Sequence, residues 1–276
     1  MDQYAVIGNP IGFSKSPLIH GMFAVATSQA MEYTAIEGPL GGFANAVDAF
    51  RAAGGLGLNI TAPFKLDAFA YATERSERAQ LAGAANAMKF EGDKVIAENF
   101  DGVGLVRDVT HNLGFVLRGK RVLLLGAGGA ARGALLPFIA EAPARLVITN
   151  RSLEKAKALA DIGRAHLLPG SAISACSYPE LEGQGFDIVF NATSASLRTE
   201  LPPVPVSVFA RCTLAYELAY GKGLTPFLRL AQNAGVSQLA DGVGMLAEQA
   251  AEAFDWWRGV RPDTKAVIER ITVALV

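Results

Sequence analysis

A glycine-rich stretch in the middle of the chain decides the predicted fold: Val122-Leu123-Leu124-Leu125-Gly126-Ala127-Gly128-Gly129-Ala130-Ala131-Arg132. The apolar residues predict a buried strand, the glycines a tight turn, and the small residues after them a helix. Gly126 permits the turn, Gly128 lets the backbone approach a pyrophosphate, and the helix N-terminus supplies free N–H donors. Only Ala131 departs from the dinucleotide-binding pattern, which tolerates it. A turn that serves packing alone is the alternative. The residues predicted to contact a dinucleotide are Gly126, Ala127, Gly128, Gly129 and Ala130.

The residues after the next predicted strand, Arg145 to Thr149, distinguish NADP from NAD. About 20 residues beyond the glycines, an NAD-binding protein carries an acid for the ribose hydroxyl. This region instead carries an amide, a guanidinium, a hydroxyl and an amine, on Asn150, Arg151, Ser152 and Lys155. Arg151 can pair bidentately with a 2′-phosphate, and Ser152 can also cap the helix that follows. NADP is therefore the predicted cofactor, and a capped helix with exposed bases is the alternative.

The remaining chain alternates short apolar runs with helical stretches, which predicts α/β layers. The regular strand–helix–strand pattern begins only at Arg121, and Pro63 is predicted to occupy the first position of an earlier helix. We therefore expect two α/β domains with the active site in the cleft between them. Residues 1–100 and 245–276 are predicted to form a substrate-binding catalytic domain, and residues 101–244 a Rossmann-type NADP-binding domain.

Composition limits the class of partner. The 25 Lys and Arg residues nearly cancel the 26 Asp and Glu residues, so no overall field favours nucleic acid or an anionic membrane. We expect a small-molecule substrate, and both a monomer and a homodimer stay open. The first residues lack the features of a secretory signal, and no apolar run approaches the roughly 20 residues that span a bilayer. Cys176 and Cys212 fit neither a metal nor a redox spacing, so we expect a cytoplasmic protein without a metal site.

Four further segments are similar to those of the shikimate dehydrogenase family. They are Gly-Asn-Pro-Ile-Gly-Phe-Ser-Lys-Ser-Pro at 8–17, Gly-Leu-Asn-Ile-Thr-Ala-Pro-Phe-Lys at 57–65, Gly-Ala-Ala-Asn at 83–86, and Asn-Phe-Asp-Gly at 99–102. Residues 214–216 and 241–249 resemble the family's closing motifs, so the resemblance extends from residue 8 to about 258. It implies NADP-dependent interconversion of 3-dehydroshikimate and shikimate, in the biosynthesis of aromatic amino acids through chorismate.

The resemblance also implies roles for individual residues. Lys65 and Asp101 would form the catalytic pair, because reducing a ketone needs a hydride on carbon and a proton on oxygen from a positioned acid. The residues implied around the substrate are Ser14, Ser16, Asn59, Thr61, Asn86, Tyr216 and Gln249. Those implied at the cofactor are Thr193, Leu214, Gly242 and Met245. From the residues alone, Ser16 could be a helix N-cap, Lys65 a solvated amine, and Tyr216 and Met245 core residues.

Four positions depart from the family pattern: Phe13, Gly21, Ala87 and Phe100 stand where the family has polar side chains. We expect them beside the substrate site, where two added phenyl rings could reshape the pocket and lower affinity for a polyhydroxylated ring. Two rival functions follow. One is a quinate/shikimate dehydrogenase of altered specificity, and the other is a catalytically idle NADP-binding regulatory protein. Retention of both Lys65 and Asp101 argues against the second.

Overall fold

The computed structural model describes residues 1–198 and 200–275; Thr199 and Val276, which the predicted domain ranges include, lie outside the described residues. The strands are β1 Asp2–Gly8, β2 Met31–Glu37, β3 Gly55–Ile60, β4 Glu74–Arg75, β5 Ala87–Glu91, β6 Lys94–Glu98, β7 Arg121–Leu125, β8 Arg145–Thr149, β9 Ala172–Cys176, β10 Ile188–Asn191, β11 Leu214–Glu217 and β12 Gln238–Asp241. The α-helices are α1 Ser16–Ala26, α2 Phe43–Ala52, α3 Lys65–Tyr71, α4 Glu77–Ala82, α5 Asp101–Arg107, α6 Gly129–Ala140, α7 Leu153–Arg164, α8 Pro226–Asn233, α9 Val243–Arg258 and α10 Lys265–Ile271.

The chain divides into two compact units. The first comprises Met1–Gly104 and Leu246–Ile271, and the second comprises Leu105–Met245 and the described residues after Ile271. Both divisions fall inside helices, α5 and α9, so no loop or change of composition marks them. The sequence placed these divisions at residues 100–101 and 244–245, and it assigned the whole C-terminal segment to the first domain.

The first unit contains a mixed sheet in the order β2-β1-β3-β5-β6-β4. β1 is parallel to both β2 and β3, whereas β5 is antiparallel to β3 and to β6. One face of the sheet packs against a core that includes Ile7, Leu58, Ile60, Phe64 and Met88. The carboxyl ends of β1 and β3 therefore lead into loops at the same edge of the sheet, and these loops carry the first two family segments.

The second unit contains a parallel sheet in the order β12-β11-β10-β7-β8-β9. The chain leaves β7 for β8 and β9 on one side and then returns to β10 on the other side of β7. The point where the order reverses is where open α/β sheets bind ligands, at the carboxyl ends of the strands. The sheet is covered by two apolar clusters, one of which includes Leu124, Phe138 and Phe190, and the other Leu123, Val189 and Phe227.

The structure corrects two local predictions. The helix predicted to open at Pro63 begins instead at Lys65, because a turn containing the cis Ala62-Pro63 bond occupies residues 62–64. Ser16 is not an N-cap: Lys15 precedes the helix, Ser16 is its first residue, and no side chain caps it.

Among the described residues, no helix is long and apolar enough to cross a membrane. In the same residues, His, Cys, Asp and Glu side chains form no group of three that could hold a metal ion.

Candidate active site

The glycine turn of the second unit follows β7 at the point of strand reversal. Gly126 has φ +113°, and a Cβ atom there would lie 3.0 Å from the Ala192 carbonyl oxygen after β10. Only glycine suits this position, because both the backbone angle and the close approach exclude a side chain. Gly128 precedes α6, and a Cβ at Gly128 or Gly129 would meet no atom within 4 Å. The first N–H groups of α6 therefore face open space, as binding of a phosphate requires.

A cleft of about 390 Å³ lies along this turn. Seven predicted cofactor residues line it: Gly126, Ala127, Gly128, Gly129, Asn150, Arg151 and Thr193. Its other lining residues, which the sequence did not indicate, include Tyr178, Arg198, Glu200, Leu201, Pro202 and Pro203. Leu201, Pro202 and Pro203 belong to a loop that follows β10, which puts them at the carboxyl edge of the sheet. The hydroxyl of Thr193 donates to Asn191 Oδ1 at 2.7 Å, which fixes this side chain at the cleft.

A smaller cleft of about 220 Å³ brings together Asn150, Arg151, Ser152 and Lys155 beside Ala127 and Gly128. This is the set predicted to bind a 2′-phosphate. Ser152 is the residue before α7, but its side chain accepts no capping hydrogen bond, so the predicted capping role is wrong. The Ser152 carbonyl oxygen accepts from Asn150 Nδ2 at 3.1 Å, which ties these two residues together. The two clefts together fit a phosphorylated dinucleotide.

The remaining predicted cofactor residues are placed differently. Leu214 is wholly buried in β11, Gly242 is buried, and Met245 is half-buried against the apolar cluster around Phe138. A Cβ at Gly242 would collide with the Leu218 carbonyl oxygen, so this glycine is required by backbone packing. Ala130 lies in the first turn of α6 without lining either cleft.

In the first unit, the structure brings Lys65 and Asp101 together. Lys65 Nζ lies 2.6 Å from Asp101 Oδ2, with the lysine side chain 35% exposed and the aspartate 14% exposed. Each is the first residue of its helix, α3 for Lys65 and α5 for Asp101. The alternative that Lys65 is a freely solvated amine is therefore wrong, because its ammonium group is held by a largely buried carboxylate.

Asn86 organises the residues around this ion pair. Its Nδ2 group donates to Asp101 Oδ1 at 2.8 Å and to Gln249 Oε1 at 3.2 Å, and its Oδ1 atom accepts from the Phe100 backbone N–H at 2.9 Å. Asn59 joins the same network, since its Nδ2 group donates to the Asn86 carbonyl oxygen at 3.3 Å. Four residues that the sequence separates by as many as 190 positions thus form one hydrogen-bonded chain with Lys65 at its end.

The other predicted substrate residues lie in the loops that follow β1 and β3. Ser14 Oγ accepts from the Ser16 backbone N–H at 3.3 Å, and Ser16 is buried at the start of α1. Thr61 follows β3 directly, is half-buried, and donates its backbone N–H to Ile7 at 3.0 Å. Ser14 and Thr61 are both half-buried, which leaves part of each residue accessible to a ligand.

Tyr216 is placed in the core of the second unit. Its side chain is fully buried, and its hydroxyl donates to Asp108 Oδ2 at 2.7 Å. Burial and the nearby Asp108 carboxylate raise the pKa of Tyr216 well above its ordinary value. A hydroxyl in this position cannot reach a ligand in this structure. Tyr216 is therefore a core residue here, which was the alternative to a substrate contact.

Of the four departures from the family pattern, only Ala87 is part of the sheet beside the network: it is buried in β5, opposite Asn59. The Phe13 ring is 91% exposed, and Gly21 lies on the exposed side of α1. The Phe100 ring is buried between Trp256, at 5.7 Å, and the Arg78 guanidinium, at 5.6 Å. Only the backbone of Phe100 reaches Asn86. The expectation that two phenyl rings reshape the pocket is therefore wrong for the Phe100 ring, which packs into the core instead.

The fold and these sites define a class: a two-unit α/β oxidoreductase that uses a phosphorylated dinucleotide. Comparison with known proteins identifies the family. The family model for the shikimate dehydrogenase substrate binding domain matches residues 6–88, that for shikimate / quinate 5-dehydrogenase matches residues 108–199, and that for the shikimate 5′-dehydrogenase C-terminal domain matches residues 242–272. The chain belongs to the shikimate dehydrogenase family, which confirms the resemblance drawn from its motifs.

Individual relatives support this placement over the whole length. Shikimate dehydrogenase (NADP(+)) of Aromatoleum aromaticum is 54% identical over 97% of this chain and 96% of its own. An Ael1 enzyme from Pseudomonas putida, known from its crystal structure, is 62% identical in sequence to this chain. The two structures align over 100% of both chains with a TM-score of 0.96. Shikimate 5-dehydrogenase from Thermus thermophilus, solved in complex with NADP(H) and shikimate, is 28% identical over 98% of each chain, with a TM-score of 0.83. The predicted two-domain α/β fold with a Rossmann-type domain is confirmed.

Proposed function

We propose that this chain is an NADP-dependent shikimate dehydrogenase, which reversibly reduces 3-dehydroshikimate to shikimate. The observation that carries the proposal is the Lys65–Asp101 ion pair, held by Asn86 in the first unit of a chain that belongs to this family. An idle binding protein would have no use for a lysine held at 2.6 Å by a carboxylate that a third side chain orients. The same geometry therefore argues against the regulatory alternative.

In the proposed reaction, the Lys65 ammonium gives a proton to the substrate oxygen while a hydride reaches the carbon. In the reverse direction, the Lys65 amine takes the proton from the shikimate hydroxyl. Asp101 keeps the Nζ group in one place by its Oδ2 atom, while its Oδ1 atom is held by Asn86. A proton donor fixed in this way is effective because general acid catalysis depends on alignment with the reacting oxygen.

Bound NADP supplies or accepts the hydride, and this chain's residues fit it. The N-terminus of α6 and the open space at Gly128 suit a pyrophosphate, since a Cβ would otherwise occupy that space. Arg151 and Lys155, in the smaller cleft, suit a 2′-phosphate because a guanidinium pairs with two of its oxygens and an ammonium adds charge. Thr193 lines the larger cleft beside the glycine turn.

The substrate would be held by the hydroxyls and amides of the first unit. Ser14 and Ser16 are proposed to bind its carboxylate, and Asn59, Thr61, Asn86 and Gln249 its ring hydroxyls. Both N–H groups of Asn86 are already used, on Asp101 and Gln249. A substrate hydroxyl would replace the longer of these bonds, that to Gln249, which frees Gln249 to turn toward the ring. Tyr216 is left out of the proposed set because its hydroxyl is buried on Asp108.

We also propose a cytoplasmic location and a monomer or homodimer. Cys176 and Cys212 are both free thiols in this structure, as is usual for proteins of a reducing compartment. Sedimentation of the purified protein would distinguish the two assembly states.

The test is the rate at which the purified protein forms NADPH from NADP, or NADH from NAD, with either shikimate or quinate. We expect the highest kcat/KM with shikimate and NADP. Higher kcat/KM with quinate would favour the quinate/shikimate alternative, and binding of NADP without turnover of either compound would reject the proposed enzyme.

A further inference from the structure

A tyrosine outside the predicted site lies directly behind Asn59. Tyr33 belongs to β2, at the edge of the first sheet, and β1 separates it from β3, which carries Asn59. Its hydroxyl reaches across β1 and donates to Asn59 Oδ1 at 2.7 Å. Asn59 itself is 5% exposed, so its amide oxygen depends on this donor rather than on solvent.

The Tyr33 ring is held in place by stacking. The imidazole of His20 lies flat against it, with ring centroids 4.1 Å apart and planes 5° apart. His20 is fully buried, and burial lowers its pKa to about 3, so the stacked ring is neutral. Trp257 packs beside both rings, with its ring centroid 5.5 Å from that of His20 and 6.4 Å from that of Tyr33. The phenol therefore has little freedom to move its hydroxyl away from Asn59.

Burial raises the pKa of Tyr33 well above its ordinary value, so its hydroxyl keeps the proton that it donates to Asn59 Oδ1. This hydrogen bond does not involve the Lys65–Asp101 pair.

The Tyr33 hydrogen bond matters because the primary amide of Asn59 can adopt two orientations, which exchange its oxygen and its nitrogen. Oxygen and nitrogen of the Asn59 side chain are nearly equal in shape, so packing alone does not choose between them. The Asn86 carbonyl oxygen can only accept, so the end of the Asn59 amide that bonds to it is the nitrogen, and the Tyr33 phenol holds the amide in that orientation by donating to the oxygen at the other end. One N–H of that nitrogen is used on the Asn86 carbonyl oxygen, and the other can be offered to a substrate hydroxyl.

We infer that Tyr33 is a positioning residue for substrate binding, which acts by fixing the orientation of the Asn59 amide so that it presents an N–H donor. The inference rests on the proposed function and deepens it, since it assigns a determinant of affinity for a hydroxylated ring. Tyr33 takes no part in proton transfer, so the effect belongs to KM rather than to kcat.

The test compares Tyr33→Phe with Tyr71→Phe. Both remove one tyrosine hydroxyl from the first unit, but the Tyr71 hydroxyl donates to Asp48, outside the network around Asn59. We expect Tyr33→Phe to raise KM and the calorimetric dissociation constant for shikimate about tenfold, because a buried amide oxygen loses its donor. We expect an unchanged kcat at saturation, an unchanged dissociation constant for NADP, and wild-type values in Tyr71→Phe.

A double-mutant cycle separates positioning from a general structural effect. If Tyr33 acts through Asn59, adding Tyr33→Phe to Asn59→Ala leaves the dissociation constant for shikimate where Asn59→Ala alone puts it; multiplication of the two effects would overturn the inference. Asn59→Asp gives an independent answer even where Tyr33→Phe fails to fold. It keeps an acceptor for Tyr33 but has no N–H, so we expect it to bind shikimate as weakly as Asn59→Ala does, and wild-type binding would overturn the inference.

The outcomes also separate this inference from the proposed function. Wild-type protein that does not turn over shikimate overturns both. Active wild-type protein with an unchanged KM in Tyr33→Phe overturns only the role of Tyr33.

Discussion

The two candidate sites of this protein differ in the atoms that form them: side chains in the first unit and mainly backbone in the second. In the first unit, the site is a chain of side chains already bonded to one another, from Asn59 through Asn86 to Asp101 and Lys65. In the second unit, the site is formed mainly by backbone around open space. It consists of a turn that only glycine permits, the open space beside Gly128, and the basic side chains Arg151 and Lys155 in the smaller cleft. The first site is therefore sensitive to deleted atoms, whereas the second is sensitive to added ones.

The largest expected effect is the loss of kcat when Lys65, at the end of the side-chain network, is substituted. Lys65→Ala should lower kcat about a thousandfold, since it removes the proton donor, while NADP binding stays unchanged. Lys65→Arg keeps the charge but does not release a proton near neutral pH, so it should be nearly as slow. Steady-state kinetics with shikimate would measure this, with Lys94→Ala as control because Lys94 pairs with Glu74 at the surface. A fast Lys65→Arg variant would show that the charge, not the proton, matters.

The next largest effect is expected on NADP affinity, when one methyl group is added to the backbone site at Gly128. Gly128→Ala places a methyl group where this structure has open space, so the fold should keep its thermal midpoint. The methyl group would occupy the position proposed for the pyrophosphate, and the loss of charge-assisted hydrogen bonds should weaken NADP binding about a hundredfold. Calorimetry with NADP checks this. Gly21→Ala is the control, because it also adds a methyl group into open space. Unchanged NADP affinity in Gly128→Ala would place the pyrophosphate elsewhere.

A smaller effect concerns the choice between NADP and NAD. Arg151→Ala should weaken NADP binding about thirtyfold, through loss of a bidentate contact with the 2′-phosphate, and leave NAD binding within about twofold. Arg164→Ala is a matched control, since Arg164 is also an exposed arginine, at the end of α7, and it pairs with Asp161. Equal losses for NADP and NAD would assign Arg151 to the adenine or the pyrophosphate instead.

The second unit could be predicted from sequence more fully than the first because its information is local. One run of eleven residues contains the strand, the turn and the helix start, and the bases of the smaller cleft follow the next strand directly. Predictions were weaker where strands are short and polar, as in β12, or where a turn delays a helix, as at Lys65. The lining residues Tyr178 and Pro202 were missed because they enter the cleft from loops whose course depends on the sheet order.

In the first unit, motifs indicated the site residues, but no local pattern could indicate how they are supported. Tyr33 meets Asn59 only because β1 lies between their strands, and this order is a property of the folded sheet. His20 offered no signal either: a lone histidine on an apolar helix face usually belongs to the core, as this one does. The side-chain network thus rests on contacts distant in sequence, whereas the backbone site rests on contacts nearby.

The last effect is on stability rather than on activity, and it tests the buried support of the first site through its pH dependence. His20 is fully buried, and burial lowers its pKa to about 3 from an ordinary 6.5, against a smaller opposing effect of the Asn59 side chain. Above pH 6.5, His20 is neutral in both the folded and the unfolded chain and contributes no pH dependence. As the pH falls from 6.5 toward 3, the unfolded chain binds a proton that the folded chain does not, so the free energy of unfolding decreases by about 1.4 kcal/mol per pH unit.

His20→Phe keeps a flat ring against Tyr33 and removes the titration, so its stability relative to wild type should rise by that slope between pH 6 and 4. The measurement is urea unfolding of both proteins across this range. Carboxylates titrate equally in both, so the difference isolates His20. His111→Gln is the control because His111 is exposed and does not belong to the stack on Tyr33. A flat difference for His20→Phe would mean that His20 is protonated in the folded chain, and Tyr33 would then stack on a cation rather than on a neutral ring.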